Sequence, residues 1–126
     1  MNRILLADPN PTLRSALALL LETRLDVQVA GQVSSMESLI CEAAATQPDL
    51  IIIGLKLPGE PAKNRLEVLR CLAPRAHILL SSPQPERASL AEGTITFLCQ
   101  ADPPEIILQT VQNLMANMPD RKISFV

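Results

Sequence analysis

Apolar runs and amphipathic stretches alternate along the whole chain. The first run, Ile4-Leu5-Leu6-Ala7, reads as a short aliphatic strand closed by Asp8-Pro9-Asn10-Pro11. Asn10 is a good helix N-cap, and Pro11 suits the first helical position, where its missing N–H would be unpaired in any case. Leu13, Ala16, Leu17, Leu20 and Leu21 then recur at helical spacing to about Arg24. Val27, Val29 and Val33 alternate with Gln28 and Gln32, the pattern of a half-exposed second strand. Ser34 and Glu37 have the spacing of a capping box and open a helix whose inner face is Leu39, Ile40, Ala43 and Ala44. Pro48 ends it.

Leu50-Ile51-Ile52-Ile53 is continuous aliphatic chain, as a central parallel strand buried on both faces requires. A third helix is predicted over about residues 62–72, with Leu66, Val68 and Leu69 inward and Arg65 and Arg70 solvated. Residues 78–80 form a fourth strand ending in Ser81-Ser82-Pro83. A short helix over 86–92 stops at Gly93, which can take the left-handed cap conformation. Residues 94–99 are the fifth strand. Pro104 starts the last helix, with Ile107, Val111, Leu114 and Met118 on one face and Leu108 and Met115 at its margin. Strands and helices in strict alternation predict a (βα)5 arrangement: a five-stranded parallel sheet covered on both sides, an open doubly wound α/β domain. Ligands of such sheets meet the carboxyl ends of the strands, the edge where Asp8, Gly54, Ser81 and Gln100 gather.

Composition narrows the function. At 126 residues the chain fits one domain with a real core, and with Phe97 and Phe125 its only aromatics that core must be aliphatic. The absence of tryptophan and tyrosine removes stacking platforms for bases. The net charge of -2 is spread along the chain with no basic excess, so direct nucleic-acid binding is not expected. Cys41, Cys71 and Cys99 are odd in number and without a Cys-x-x-Cys pair. This argues against disulfides or a zinc site and for a reduced compartment, with the three as small buried apolar residues. The run after Arg3 is too short for a signal-peptide core, and no stretch reaches the ~18–20 apolar residues of a membrane span, so a soluble cytoplasmic protein is expected.

The segments Ile4-Leu5-Leu6-Ala7-Asp8, Gln47-Pro48-Asp49-Leu50-Ile51-Ile52-Ile53, Leu57-Pro58-Gly59, Leu66-Glu67-Val68-Leu69-Arg70 and Pro104-Glu105, in this order and spacing, resemble bacterial response-regulator receiver domains. The resemblance implies a CheY-like, flavodoxin-like fold. It covers nearly all of a domain placed at residues 1–118, leaves 119–126 as a tail or the start of a linker, and is closest to the subfamily that often precedes a helix-turn-helix output domain. In that family an aspartate at the position of Gly54 accepts a phosphoryl group from a histidine kinase; here there is no side chain. Two acidic residues after the first strand hold Mg²⁺; here they are Asp8 and Pro9. A lysine after the fifth strand pairs with the phosphoryl oxygens; here it is Gln100. Ser81 fits the hydroxyl position after strand four, and Phe97 fits the switch-aromatic position without a hydroxyl. Phosphoryl transfer depends almost wholly on positioning and charge neutralisation, and a lone carboxylate is a weak Mg²⁺ ligand, so no metal and no cofactor are expected.

The resemblance therefore points to a phosphorylation-independent pseudo-receiver, a regulatory module acting through a protein partner: itself, as a homodimer, or an attached output domain. Receivers commonly pair through the face of their fourth and fifth helices. The fourth helix is short here, and Ile106, Leu108 and Met115 on the last helix are the candidate interface. Two readings compete with it: a phosphorylation switch whose acceptor has moved to Asp8 or Ser81, and a small-ligand sensor or enzyme using the strand-end crevice. No nucleophile–base pair or Gly-rich phosphate loop supports an enzyme. Simpler roles also serve. Asp8 can accept bonds from free N–H groups at the start of the first helix, Ser81 and Ser82 can cap a strand end, and His77 can be packed or solvated. Lys63, Arg65, Arg70 and Arg75 can be the wet side of the third helix.

Overall fold

The computed structural model describes residues 2–54, 63–82, 96–99 and 102–116. Within them run β1 (Asn2–Ala7), α1 (Pro11–Arg24), β2 (Val27–Val33), α2 (Met36–Thr46), β3 (Leu50–Gly54), α3 (Lys63–Leu72), β4 (His77–Ser82), β5 (Thr96–Cys99) and α4 (Pro104–Ala116). All strand pairs are parallel, and the order β2-β1-β3-β4-β5 is the doubly wound sheet expected from the alternation of elements. The helix predicted over 86–92 with its Gly93 stop, the Leu57-Pro58-Gly59 segment, Met118 and the tail 119–126 lie outside the described residues, as do the side chains of Lys63, Arg65, Leu66, Phe97 and Cys99.

The central strands β1, β3 and β4 divide their side chains by alternation. Leu5 and Ala7 of β1, Ile51 and Ile53 of β3, and Ile78 and Leu80 of β4 join Met36, Leu39 and Ala43 of α2 and Leu69 of α3 in one aliphatic core. Ile4, Leu6, Leu50, Ile52 and Leu79 point the other way, onto Leu17, Ala18 and Leu21 of α1 and Ile107 and Val111 of α4. A period of two on a two-sided sheet makes two cores from one set of apolar runs. The outer edge of β2 is partly covered from within the chain, since the Glu22 carboxylate of α1 accepts the Val29 N–H at 2.9 Å.

Several sequence expectations shift by a residue. The cap of α2 is Ser35, whose Oγ accepts the Ser38 N–H at 3.2 Å, so Ser34 and Glu37 form no capping box. Met36 consequently enters the core, while Ala44 and, on α1, Ala16 face solvent. Val68 is 48% exposed; among the described side chains of α3 the buried one is Leu69. β4 runs two residues further than expected and takes in Ser81 and Ser82. Cys41 and Cys71 lie on outward faces of α2 and α3 and are exposed, against the expectation of buried thiols.

Candidate functional site at the strand ends

The carboxyl edge of the sheet is built by the ends of β1, β3 and β4. Asp8 follows β1 directly, and its N–H donates to the Val33 carbonyl at the end of β2 at 3.1 Å. Gly54 is the last residue of β3, fully inside the sheet and paired with Ser81 of β4. These three expected site residues are therefore neighbours in the fold. Pro9 lies beside Asp8 in the exposed turn that leads to α1. Gln100 lies outside the described residues, and for the Phe97 position only the backbone pairing with Leu80 is described.

Asp8 is half-buried, and its two carboxylate oxygens have different neighbours. Oδ1 accepts the Asn10 N–H at 2.9 Å. Asn10 in turn caps α1, its Oδ1 accepting the N–H groups of Thr12 and Leu13 at 3.0 and 3.3 Å. Asp8 thus orders the capping residue, and the free helix N–H groups that it was expected to satisfy are taken by Asn10. Oδ2 lies over Gly54: a Cβ placed on that glycine would collide with Oδ2 and stand 3.0 Å from Cγ. The carboxylate occupies the space that a side chain at position 54 would need.

Arg14 completes this corner. Its Nη1 donates to the carbonyl oxygens of Asp8 and Val33 at 2.7 and 3.3 Å, tying the ends of β1 and β2 to the first turn of α1. Its Nε is buried with no hydrogen-bond partner. The sequence offered one signal for it: a cation in a helix's first turn opposes the helix dipole and needs a local reason. Here the reason is a pair of strand-end carbonyls.

The other candidates separate from this corner or change character. Ser81 and Ser82 are 2% and 4% exposed inside β4, and the Ser81 hydroxyl makes a long 3.5 Å contact to the Ile53 carbonyl. They are residues of the strand itself. His77 opens β4 at the opposite end of the sheet, where its N–H donates to the Asp49 carbonyl at 3.0 Å. Arg70 is exposed, as a solvated helix side requires, whereas Arg75 lies in the turn beyond α3, against the expectation that placed it on that helix, and its exposed side chain reaches Asp49 at 3.5 Å. On α4, Ile106 is 44% exposed, while Leu108 and Met115 are half-buried and pack against the core beneath them.

One oxygen of the Asp8 carboxylate is engaged by Asn10, and among the described residues no group of three or more His, Cys, Asp or Glu side chains could hold a metal such as Mg²⁺. Among the described residues, no helix is long and apolar enough to cross a membrane.

No family model matches the sequence. It is similar to the nitrate/nitrite response regulator protein NarL of Escherichia coli, 31% identical over 117 residues, covering 90% of this chain and 54% of that protein. It is also similar to the transcriptional activator protein ExaE of Pseudomonas putida, 29% identical over 117 residues, covering 90% of this chain and 55% of the relative. The chain thus spans about half the length of each. RcsB of Salmonella enterica serovar Typhimurium, solved bound to a promoter with a phosphomimetic, superposes with a TM-score of 0.80 at 16% identity, over 92% of this chain and 62% of that one. With its strand order and its two aliphatic cores, this chain has the flavodoxin-like, CheY-like α/β fold of such structures, and over 117 residues its sequence is similar to that of the response regulator NarL.

Proposed function

We propose that the chain is a phosphorylation-independent pseudo-receiver that regulates through protein contacts, within or derived from a two-component transcriptional regulator. One observation carries this reading: the acceptor position is a glycine within the sheet, and the space above it is filled by Asp8. Residue 54 itself has no carboxylate on which an acyl phosphate could form. Pro9 supplies no second acidic ligand, and Gln100 no cation to match the phosphoryl oxygens. Regulators such as ExaE are named as transcriptional activators, and a role for this domain in transcription would be exercised through another part of such a protein or through a partner.

The first partner we propose is a second copy, meeting the exposed side of α4 around Ile106. Leu108 and Met115 also support the core, so Ile106→Lys is the cleaner probe of association. Intact-mass measurement after incubation with acetyl phosphate and Mg²⁺ tests the central claim, and an unchanged mass is the expected result. A stable gain of one phosphoryl group on Asp8 would overturn it in favour of a displaced acceptor, the rival that the position of the Asp8 carboxylate over β3 supports. A dimer in sedimentation that Ile106→Lys dissociates is expected for the partner claim; a monomer at high micromolar concentration would refute it.

A further inference from the structure

Gly54 and Asp8 are read most simply as two separate relics, one residue lost and one retained. The geometry makes them one unit. Asp8 is held from several directions at once: its N–H bonds to Val33, its carbonyl accepts from Arg14, and its Oδ1 accepts from Asn10. With the backbone of Asp8 so fixed, the carboxylate swings over the end of β3, and Oδ2 comes to rest where a Cβ of residue 54 would stand. Only a residue without a Cβ leaves that space.

We propose that the Asp8 carboxylate is a built-in latch. Seated over Gly54, it fixes the turn between β1 and α1 against the end of β3 and holds the strand-end edge in one conformation. Its regulatory meaning rests on the pseudo-receiver reading: in place of a switch set by a phosphoryl group, the edge is set permanently by a side chain of its own. The latch needs both a glycine at 54 and the Asx turn that aims Asp8, in which the carboxylate closes on the N–H two residues on.

The sign of a small substitution tests this. Gly54 lies in β3 without a positive φ, so Ala is conformationally permitted, and Gly→Ala at a compatible site raises the folding equilibrium constant about two- to fivefold by restricting the unfolded chain. The latch predicts the opposite. Gly54→Ala pushes out the flexible end of Asp8, the Asn10 N–H loses its acceptor, and its hydrogen exchange accelerates about tenfold, the worth of one hydrogen bond to a charged group. In an Asp8→Ala background the same substitution meets nothing and should recover its ordinary stabilising sign, so the double-mutant cycle is strongly non-additive. If Gly54→Ala instead leaves Asn10 exchange unchanged, or stabilises equally in both backgrounds, the latch is wrong. Should Gly54→Ala fail to fold, restored folding in the double variant supports the latch, and continued failure overturns it. Phosphoryl uptake by the unaltered chain would defeat the pseudo-receiver reading without touching this cycle, so the two can fail independently.

Discussion

Each end of the sheet carries an aspartate, and the two carboxylates meet different surroundings. Asp49, at the amino end, is 8% exposed. Its Oδ2 accepts the Arg3 N–H at 2.9 Å, its own N–H donates to the Arg3 carbonyl at 2.8 Å, and its carbonyl accepts from His77. It therefore ties β1 to the starts of β3 and β4. Asp8, at the carboxyl end, is half-exposed, with one side-chain acceptor bond to a turn N–H. A buried carboxylate holding backbone donors is part of the sheet's hydrogen bonding. A half-exposed one beside a missing side chain is free to be a device, because moving it does not unpair a strand.

The largest effect should come from the amino end. Asp49→Ala leaves the Arg3 N–H without its acceptor in a part-buried place, so unfolding free energy should fall by about 2 kcal/mol, read as a lower urea midpoint with unchanged slope. The exposed Arg75 contributes little to this, since its 3.5 Å contact is long and its side chain is 61% exposed. A loss no greater than that of Asp8→Ala would erase the distinction between the two ends.

Gly54→Asp attacks the other end and should have the next largest effect. The new side chain needs the space of the Asp8 carboxylate, and evicting it sets two like charges side by side. A cost of about 1–2 kcal/mol is expected, in contrast to the gain of an uncrowded glycine replacement. The variant should still take up no phosphoryl group from acetyl phosphate, because Pro9 and Gln100 are unchanged. Uptake at the level of an ordinary receiver would show that the remaining parts suffice.

These contrasts also mark what the sequence could convey. The strands were legible because a sheet buried on both sides demands unbroken aliphatic runs, and Leu50-Ile51-Ile52-Ile53 has no other economical reading. Helix faces were harder. Leu66, Val68 and Leu69 are all apolar on a short element, and only packing shows that Leu69 turns inward and Val68 outward. The cap at Ser35 was missed for a similar reason: adjacent serines compete, and one residue of register decides. Asp49 appeared in the sequence only as part of a resemblance, because its acceptor bond runs to a residue 46 positions away. The site was half legible. A missing side chain at 54 can be read from the string, but the neighbour that fills the vacated volume depends on how β1 and β3 lie side by side.

The smallest expected effect separates shape from charge at the two aspartates. Asp8→Asn keeps an oxygen for the Asn10 N–H and a side chain of the same size over Gly54, and at a half-exposed turn the change should stay within about 0.5 kcal/mol. Asp49→Asn also keeps an acceptor for Arg3. It must, however, bury a carboxamide whose amino group requires a partner of its own near β1 and β4, so about 1 kcal/mol should be lost there. Paired urea melts of the two variants give the comparison directly, and Asn10 exchange in Asp8→Asn should remain close to that of the unaltered chain. If Asp8→Asn instead frees Asn10 as fully as Asp8→Ala does, the latch depends on the negative charge itself, and the fit over Gly54 is secondary. A neutral latch would mean that shape alone holds the edge, and that Gly54 matters for the volume it leaves open.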